Sequence, residues 1–408
     1  MFRRFFEFYP LVVWALMLLV VVRPLRLGWR GSALVAGVLL VASQKFLIYR
    51  FFGGDSFVPD LPELFVNVTG WSYSAAMILF ALACAWGVVG GVWGLVHRSS
   101  RPLPRRAIGV LAAVAMLVAG WGIWEGVRIP DVRRIEIALE GLPPAFDGFR
   151  LVQLTDLHCS SAARKARTAG IVRKVNALKP DLVCITGDFV DGPPSLRADD
   201  LSPLADLRAP FGVFGCAGNH EYYSDYVAWR PVFTSFGIVM LDNAHRVLEK
   251  DGARLVLGGV TDPAAVRNRR ADRTVERLEP PDAAKAFAGA PADACRILLQ
   301  HRPRLPPKMS RAEPVQLQLS GHTHGGMMPG IAFLVGRLEN NNGFVRGLYR
   351  LGGGFLYVSP GTGQWAGFPL RLGVPAEITE IILRPRPRPL SLPPESGILS
   401  SRFSVTSK

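Results

Sequence analysis

Cysteine is scarce in this chain: five residues in 408, with no C-x-x-C pair. That excludes a disulfide scaffold and a zinc knuckle. Cys84 lies in an apolar stretch, Cys184 and Cys216 fall in expected buried strands, and Cys159 and Cys295 stand alone. Cys159 follows a candidate metal ligand, so it is either a nucleophile or a passive neighbour. Acidic residues are outnumbered, 32 against 47 lysines and arginines, giving a formal charge of +15. No stripe of stacking aromatics interleaved with lysine accompanies that charge, which excludes nucleic acid as the partner. Much of it is arginine in loops beside apolar stretches and in the Pro/Arg run 384–389, as expected near anionic lipid. An A-x-A cleavage site is also missing after the first apolar stretch, which is therefore read as retained. There is no internal repeat.

What is abundant is apolar sequence, 49% of the chain, concentrated before residue 129. Four transmembrane helices are expected at about 9–22, 31–49, 73–96 and 106–125, close to the ~20 residues that cross ~30 Å of hydrocarbon. The connections 23–30 and 97–106 carry three and four arginines, whereas 50–72 carries Asp55, Asp60 and Glu63 against Arg50. Positive-inside bias puts the two arginine-rich loops in the cytoplasm and everything after 126 outside, with Arg3 and Arg4 arguing mildly the other way.

Beyond a linker at 129–145, strand-like runs occur at 149–155, 181–186, 212–217, 254–260, 296–300 and 315–320. Helix-like stretches at 162–178 and 222–236 alternate with the first of them, which indicates an α/β layered domain over 146–383. Alternating apolar residues and glycines at 331–383 suggest antiparallel hairpins. The tail 384–408 is Pro/Ser/Arg-rich and is expected to be disordered.

The chemistry collects where these strands end. The first leads to Asp156 and His158, the second to Asp188 and Asp191, and the third to Asn219, His220 and Glu221. The run RILLQ leads to His301, and VQLQLS to His322 and His324 in GHTHGGM. Strand ends of open α/β sheets share one edge, where ligands bind. A carboxylate, imidazole and amide set without thiolate suits Mn, Fe or Zn in an open site. A lone D-x-H is as easily a helix cap with an incidental histidine; the ordered series is not. Gly187, Gly218, Gly321 and Gly325 are placed to let backbone turn tightly beside the ligands. His97, at a membrane edge, and His245, in an expected hairpin, fall outside the series.

The ordered set TDLH, GDFVDG, GNHE, LLQHRP and GHTHGG resembles the calcineurin-like metallophosphoesterase superfamily, in particular its bacterial membrane-anchored YkuE/YaeI-like branch. The resemblance extends over about 146–383, including SPGTGQWAGFPLRLGVPAEI. It implies a four-layer α-β-β-α sandwich behind the four-helix anchor. It implies two divalent metal ions, one held by Asp156, His158 and His324, the other by Asn219, His301 and His322, with Asp188 bridging. It also implies that His220 contacts the phosphate and protonates the leaving oxygen with help from Glu221, and that Asp191 orients a ligand. Met327 stands where relatives often carry glutamine. Arg371 is either a phosphate contact or a structural surface arginine.

The function implied is hydrolysis of a phosphodiester, pyrophosphate or phosphomonoester, with a lipid or envelope metabolite favoured. The setting implied is a multi-pass protein of the bacterial inner membrane with its catalytic domain on the extracytoplasmic side. Two other readings remain: a cytosol-facing pyrophosphatase of lipid-linked nucleotide intermediates, and a membrane sensor or transporter with a metal-binding domain. The spans carry few ionisable residues, which weighs against transport.

Overall fold

Strand periodicity of two explains how the α/β domain layers. In the computed structural model, which describes residues 2–97, 103–267, 279–305, 315–328, 330–337 and 341–386, twelve strands form two six-stranded sheets. The first sheet contains β1 (Asp131–Glu140), β2 (Arg150–Leu154), β3 (Leu182–Thr186), β4 (Val213–Cys216), β5 (Ile238–Met240) and β12 (Glu377–Arg386). Its order is β1-β12-β2-β3-β4-β5. The second contains β6 (Ala244–Lys250), β7 (Ala253–Gly259), β8 (Cys295–Leu299), β9 (Leu317–Ser320), β10 (Gly347–Leu351) and β11 (Gly354–Val358). Its order is β10-β11-β9-β8-β7-β6.

Alternate residues of β2 take opposite faces. Leu151 joins Leu182, Cys184, Leu257, Ile297 and Leu319 between the sheets. Val152 and Leu154 point the other way, onto Ile171, Val175, Trp229 and Phe233 of the helices Lys165–Ala177 and Tyr226–Ser235. Outside the second sheet, Val256 and Leu298 pack on Ala283, Ala286 and Phe287. Helices therefore cover both outer faces, and the four-layer sandwich is what the structure has. The strands β2 through β5 run parallel, as do β7, β8, β9 and β11, so their carboxyl ends lie at one edge. Gln153 ties the sheets together behind that edge, donating to Thr186 Oγ1 (2.8 Å) and Ser320 O (3.0 Å).

Several expectations need correcting. The stretch 129–145 is not merely a linker: Asp131–Glu140 is an edge strand whose parallel partner is β12. That partner runs to Arg386, so the first three residues of the expected tail are sheet, and 387–408 lie outside the described residues. The antiparallel hairpin in 331–383 is confined to β10 and β11, because β11 pairs parallel with β9. His245 does sit in a hairpin, opposite Gly258.

Among the described residues, three helices are long and apolar enough to cross a membrane: Arg3–Leu25, Glu63–His97 and Arg105–Val127. The expected span 31–49 is a broken one, the pair Trp29–Ser43 and Lys45–Gly53, which is long and apolar enough when taken together but is bent by 65°. The break falls at Gln44, whose backbone (φ −93°, ψ 35°) leaves the helical region. The first span begins earlier than its hydropathy suggests, and two of its charges, Arg3 and Glu7, are paired. Arg50 reaches Glu7 at 2.8 Å, and Arg3 reaches Asp55 at 2.7 Å. Alanines 76, 83 and 115 let the bundle pack closely around Met17, Val21 and Leu79.

The two ends of the bundle differ. At one end Arg105 donates to Arg26 O, joining the arginine-rich connections. At the other, Pro59 O accepts from Arg197, Leu61 O accepts from Arg164, and Asn67 donates to Ala162 O, so the α/β domain rests there. Replacing Leu257 by alanine, in the fully buried layer between the sheets, should cost roughly 2–5 kcal/mol. Thermal unfolding of the solubilised protein checks this, with a lowered Tm expected.

Candidate metal centre

Five of the seven ligand candidates sit in turns that L-residues rarely make, Asn219 and His301 being the exceptions. Asp156, His158, Asp188, His322 and His324 have φ of 50°, 43°, 52°, 72° and 47°. Non-glycine residues held at positive φ store strain that surrounding contacts must offset. Here the contacts are mutual. Asp156 N–H donates to Gly187 O (2.9 Å) and His158 N–H to Asp188 O (3.0 Å), which zips the first two ligand loops together. The Asp156 carboxylate accepts His322 N–H at 3.0 Å, joining the last loop to the first. Glu221 accepts three backbone N–H groups, from Asp188 (2.9 Å), Phe189 (2.7 Å) and Gly218 (2.7 Å). It fixes the second and third loops and adds to the negative charge that raises His220.

Two donor groups result. Asp156, His158 and His324 offer atoms within 4.8 Å of one another, as do Asp188, His301 and His322. Asp188 Oδ2 links them, 3.6 Å from His158 Nε2 and 3.1 Å from His301 Nε2. A third convergence, His158, Asp191 and His220, is an orienting network. Asp191 Oδ1 lies 3.1 Å from His158 Nδ1 and 2.5 Å from His220 Nδ1, so both rings donate to it and turn Nε2 inward.

The atoms left facing one another are mostly acceptors. His301 Nδ1 donates to Thr186 O (2.7 Å), so its Nε2 presents a lone pair to the Asp188 carboxylate unless protonated. The Nε2 atoms of His158 and His324 are 3.1 Å apart, and His322 Nδ1 is 3.2 Å from His301 Nε2. Asn219 Oδ1 is buried without a hydrogen-bond partner among the described residues. Buried polar atoms are normally paired, so this arrangement calls for cations. The electrostatics agree. Burial opposes charge at Asp188, yet His301, His220 and His158 hold its carboxyl well below the usual range. Burial likewise opposes charge on His301, but Asp188 outweighs it and raises the imidazole to about 10. His220 is raised to about 9 against its burial by Asp188 and Asp191. His324 moves far down, by burial and by the neighbouring His158 and Arg371. The residues present fit divalent metal ions.

Two open alternatives are decided here. Burial pushes the Cys159 thiol up to about 12, so it is the passive neighbour. Arg371 is neither on the surface nor open to a phosphate: fully buried, it donates to Pro360 O (2.8 Å) and Gly363 O (2.5 Å) and approaches His324 Nδ1 at 3.2 Å. Sequence reasoning also missed Trp365, whose ring lies 5.6 Å from that of His220. Its only signal was its place in the quoted QWAGFP segment.

The family model for calcineurin-like phosphoesterase matches residues 149–326, the stretch that supplies every donor above. A bovine (Bos taurus) transmembrane protein with metallophosphoesterase domain is 30% identical over 377 residues, 86% of this chain and 80% of that protein. The chain belongs to the calcineurin-like phosphoesterase family. An uncharacterized metallophosphoesterase of Campylobacter jejuni is 29% identical, covering 85% of this chain and 87% of its own. The YkuE metallophosphoesterase of Bacillus subtilis is 29% identical over 70% of this chain and 98% of its own. The first two alignments reach well beyond the catalytic domain, so the resemblance includes the apolar helices. This phosphoesterase is a metal-dependent hydrolase, and its spans make it a membrane protein.

Gly321 tests the packing of the centre. A Cβ there would lie 2.1 Å from Thr155 Oγ1 and 2.2 Å from Asp156 Oδ2, with no room for either to retreat. Gly321→Ala should lower bound metal, measured by elemental analysis of the purified protein, while the chain remains folded by circular dichroism.

Proposed function

We propose that this phosphoesterase hydrolyses a phosphodiester, pyrophosphate or phosphomonoester at two divalent ions, and that the substrate is a lipid or envelope metabolite. The observation that carries the two-ion reading is Asp188 Oδ2, standing between the donor groups at 3.6 and 3.1 Å. Asp156, His158 and His324 would hold one ion and Asn219, His301 and His322 the other, with Asp188 shared. Ions so placed supply Lewis-acid stabilisation of phosphoryl oxygens and a water activated near neutral pH. The remaining roles belong to side chains. His220 is anchored through Nδ1 to Asp191 and keeps 17% of its side chain exposed, so its Nε2 can meet the leaving oxygen as proton donor. Asp191 positions both that ring and His158. Glu221 and Arg371 keep the loops in place.

The setting proposed is the bacterial inner membrane with the domain outside. It is supported by the arginine-rich connections lying at the end of the bundle away from the domain, since such loops stay cytoplasmic. The acids Glu7, Asp55, Asp60 and Glu63 lie with the domain end, where Asp60 reaches Arg164 at 3.8 Å. Manganese is one of the metals the oxygen and nitrogen donors suit.

Asp188→Asn or His322→Ala should reduce turnover of an aryl phosphodiester by more than the roughly 10–100-fold typical of residues behind the ligands. Undiminished turnover in metal-analysed Asp188→Asn protein would sink the two-ion mechanism. Chelation should abolish activity and Mn²⁺ should restore it, whereas activity indifferent to chelator contradicts metal dependence. A phosphatase reporter fused at the carboxyl terminus should be active. An inactive reporter beside an active cytoplasmic one would favour the cytosol-facing pyrophosphatase.

A further inference from the structure

Lys45 is a fully buried lysine at the break of a bent transmembrane pair. An ionisable residue within an apolar bundle is costly and needs a named partner. Its hydrogen-bond acceptors are not in the bundle, although bundle aromatics line its ammonium. Lys45 Nζ donates to Ala366 O (3.0 Å) and Gly367 O (2.9 Å), backbone carbonyls of the catalytic domain, and lies over the Phe46 ring at 4.4 Å. The residue just before those carbonyls is Trp365, whose ring meets His220 edge-on at 5.6 Å and 74°.

A second line of contacts joins the same points. Trp365 stacks on Phe57 of the connection after the broken pair, 5.8 Å between centroids and 6° between planes. Phe57 packs in turn on Phe46 (5.2 Å) and on Phe6 of the first span (5.5 Å), and Phe6 reaches Phe368 at 5.9 Å. An aromatic ladder therefore runs from two membrane helices to the imidazole beside the metal ligands. Further along, Arg371 N–H donates to Gly122 O of the last span, so the whole 365–371 segment is held between anchor and site.

We propose that the membrane anchor builds one wall of the catalytic site: Lys45 and Phe57 are positioning residues that hold Trp365 against His220. The break at Gln44 has a purpose in this arrangement, since it turns the lysine away from the helix path toward the 366–367 carbonyls. The anchor then does more than keep the enzyme at the bilayer; its packing sets the orientation of the ring assigned to the leaving oxygen. The inference rests on that role of His220.

The test uses the full chain in detergent or nanodiscs. Lys45→Met should speed hydrogen exchange of peptides spanning 364–370 by about 10-fold while those covering β2 and β9 stay protected. In the same samples, Lys45→Met and Trp365→Ala should each lower kcat for an aryl phosphodiester by about 10-fold, with KM and metal content little changed. The double variant should be no worse than the poorer single one, because both changes break one chain of contacts. Phe57→Ala carries the same cycle with Trp365→Ala should Lys45→Met fail to fold. Unchanged exchange at 364–370, or losses in kcat that simply multiply, overturns the inference and leaves the two-ion reading standing. Full turnover in His220→Ala removes the acid role and the inference with it.

Discussion

The carboxylate of Asp188 is the point on which the site depends. It faces His158 on one side and His301 on the other, and its Oδ1 accepts the His220 N–H at 2.9 Å. Its own backbone N–H is held by Glu221 and its carbonyl by His158 N–H. A residue at φ 52° is bound this thoroughly only when neighbouring loops fix it. Three of the five ligand loops touch it, and Gly218 has no side chain because a Cβ there would lie 2.2 Å from Asp188 Oδ1. Charge follows from the same crowding. Acceptors buried face to face demand positive charge, which protons can meet in part and divalent ions fully.

The sandwich exists to bring those loops together. Parallel strands in both sheets end at one edge, and Gln153 fixes the distance between the sheets by bonding to the ends of β3 and β9. The anchor is packed onto this edge region through 59–61, 67 and 122, so membrane and catalytic parts share an interface. The placement accounts for why polar residues recur near the domain end of the bundle. Glu7, Arg50 and Ser56 form a closed hydrogen-bonded set there, with Ser56 Oγ donating to Glu7 at 2.6 Å.

Much of this was legible in the sequence because it is local. Apolar runs ending in D-x-H, G-D, G-N-H and H-x-H mark both strand and ligand in one stretch, so the donor residues and the parallel core were readable. The pairing of β1 with β12 was not, since the partners are some 240 residues apart and the arginine-rich DVRRIEIALE exposes too many polar side chains to suggest a strand in a core. The kink at Gln44 was hidden by continuous hydropathy on both sides. The backbone bonds of Glu221 and the burial of Arg371 were not legible, because a motif shows a charged residue and not whether backbone groups have already claimed it. Lys45 meets the Ala366 and Gly367 carbonyls, next to Trp365, only after folding across some 320 residues, which no periodicity can show.

The central claim is that these donors hold two ions through one shared carboxylate. Anomalous diffraction from crystals of the Mn²⁺-loaded protein measures this directly. The account predicts two peaks ~3.5–4 Å apart with the Asp188 carboxylate between them. A single peak, or a second one lying away from Asn219, His301 and His322, would contradict it.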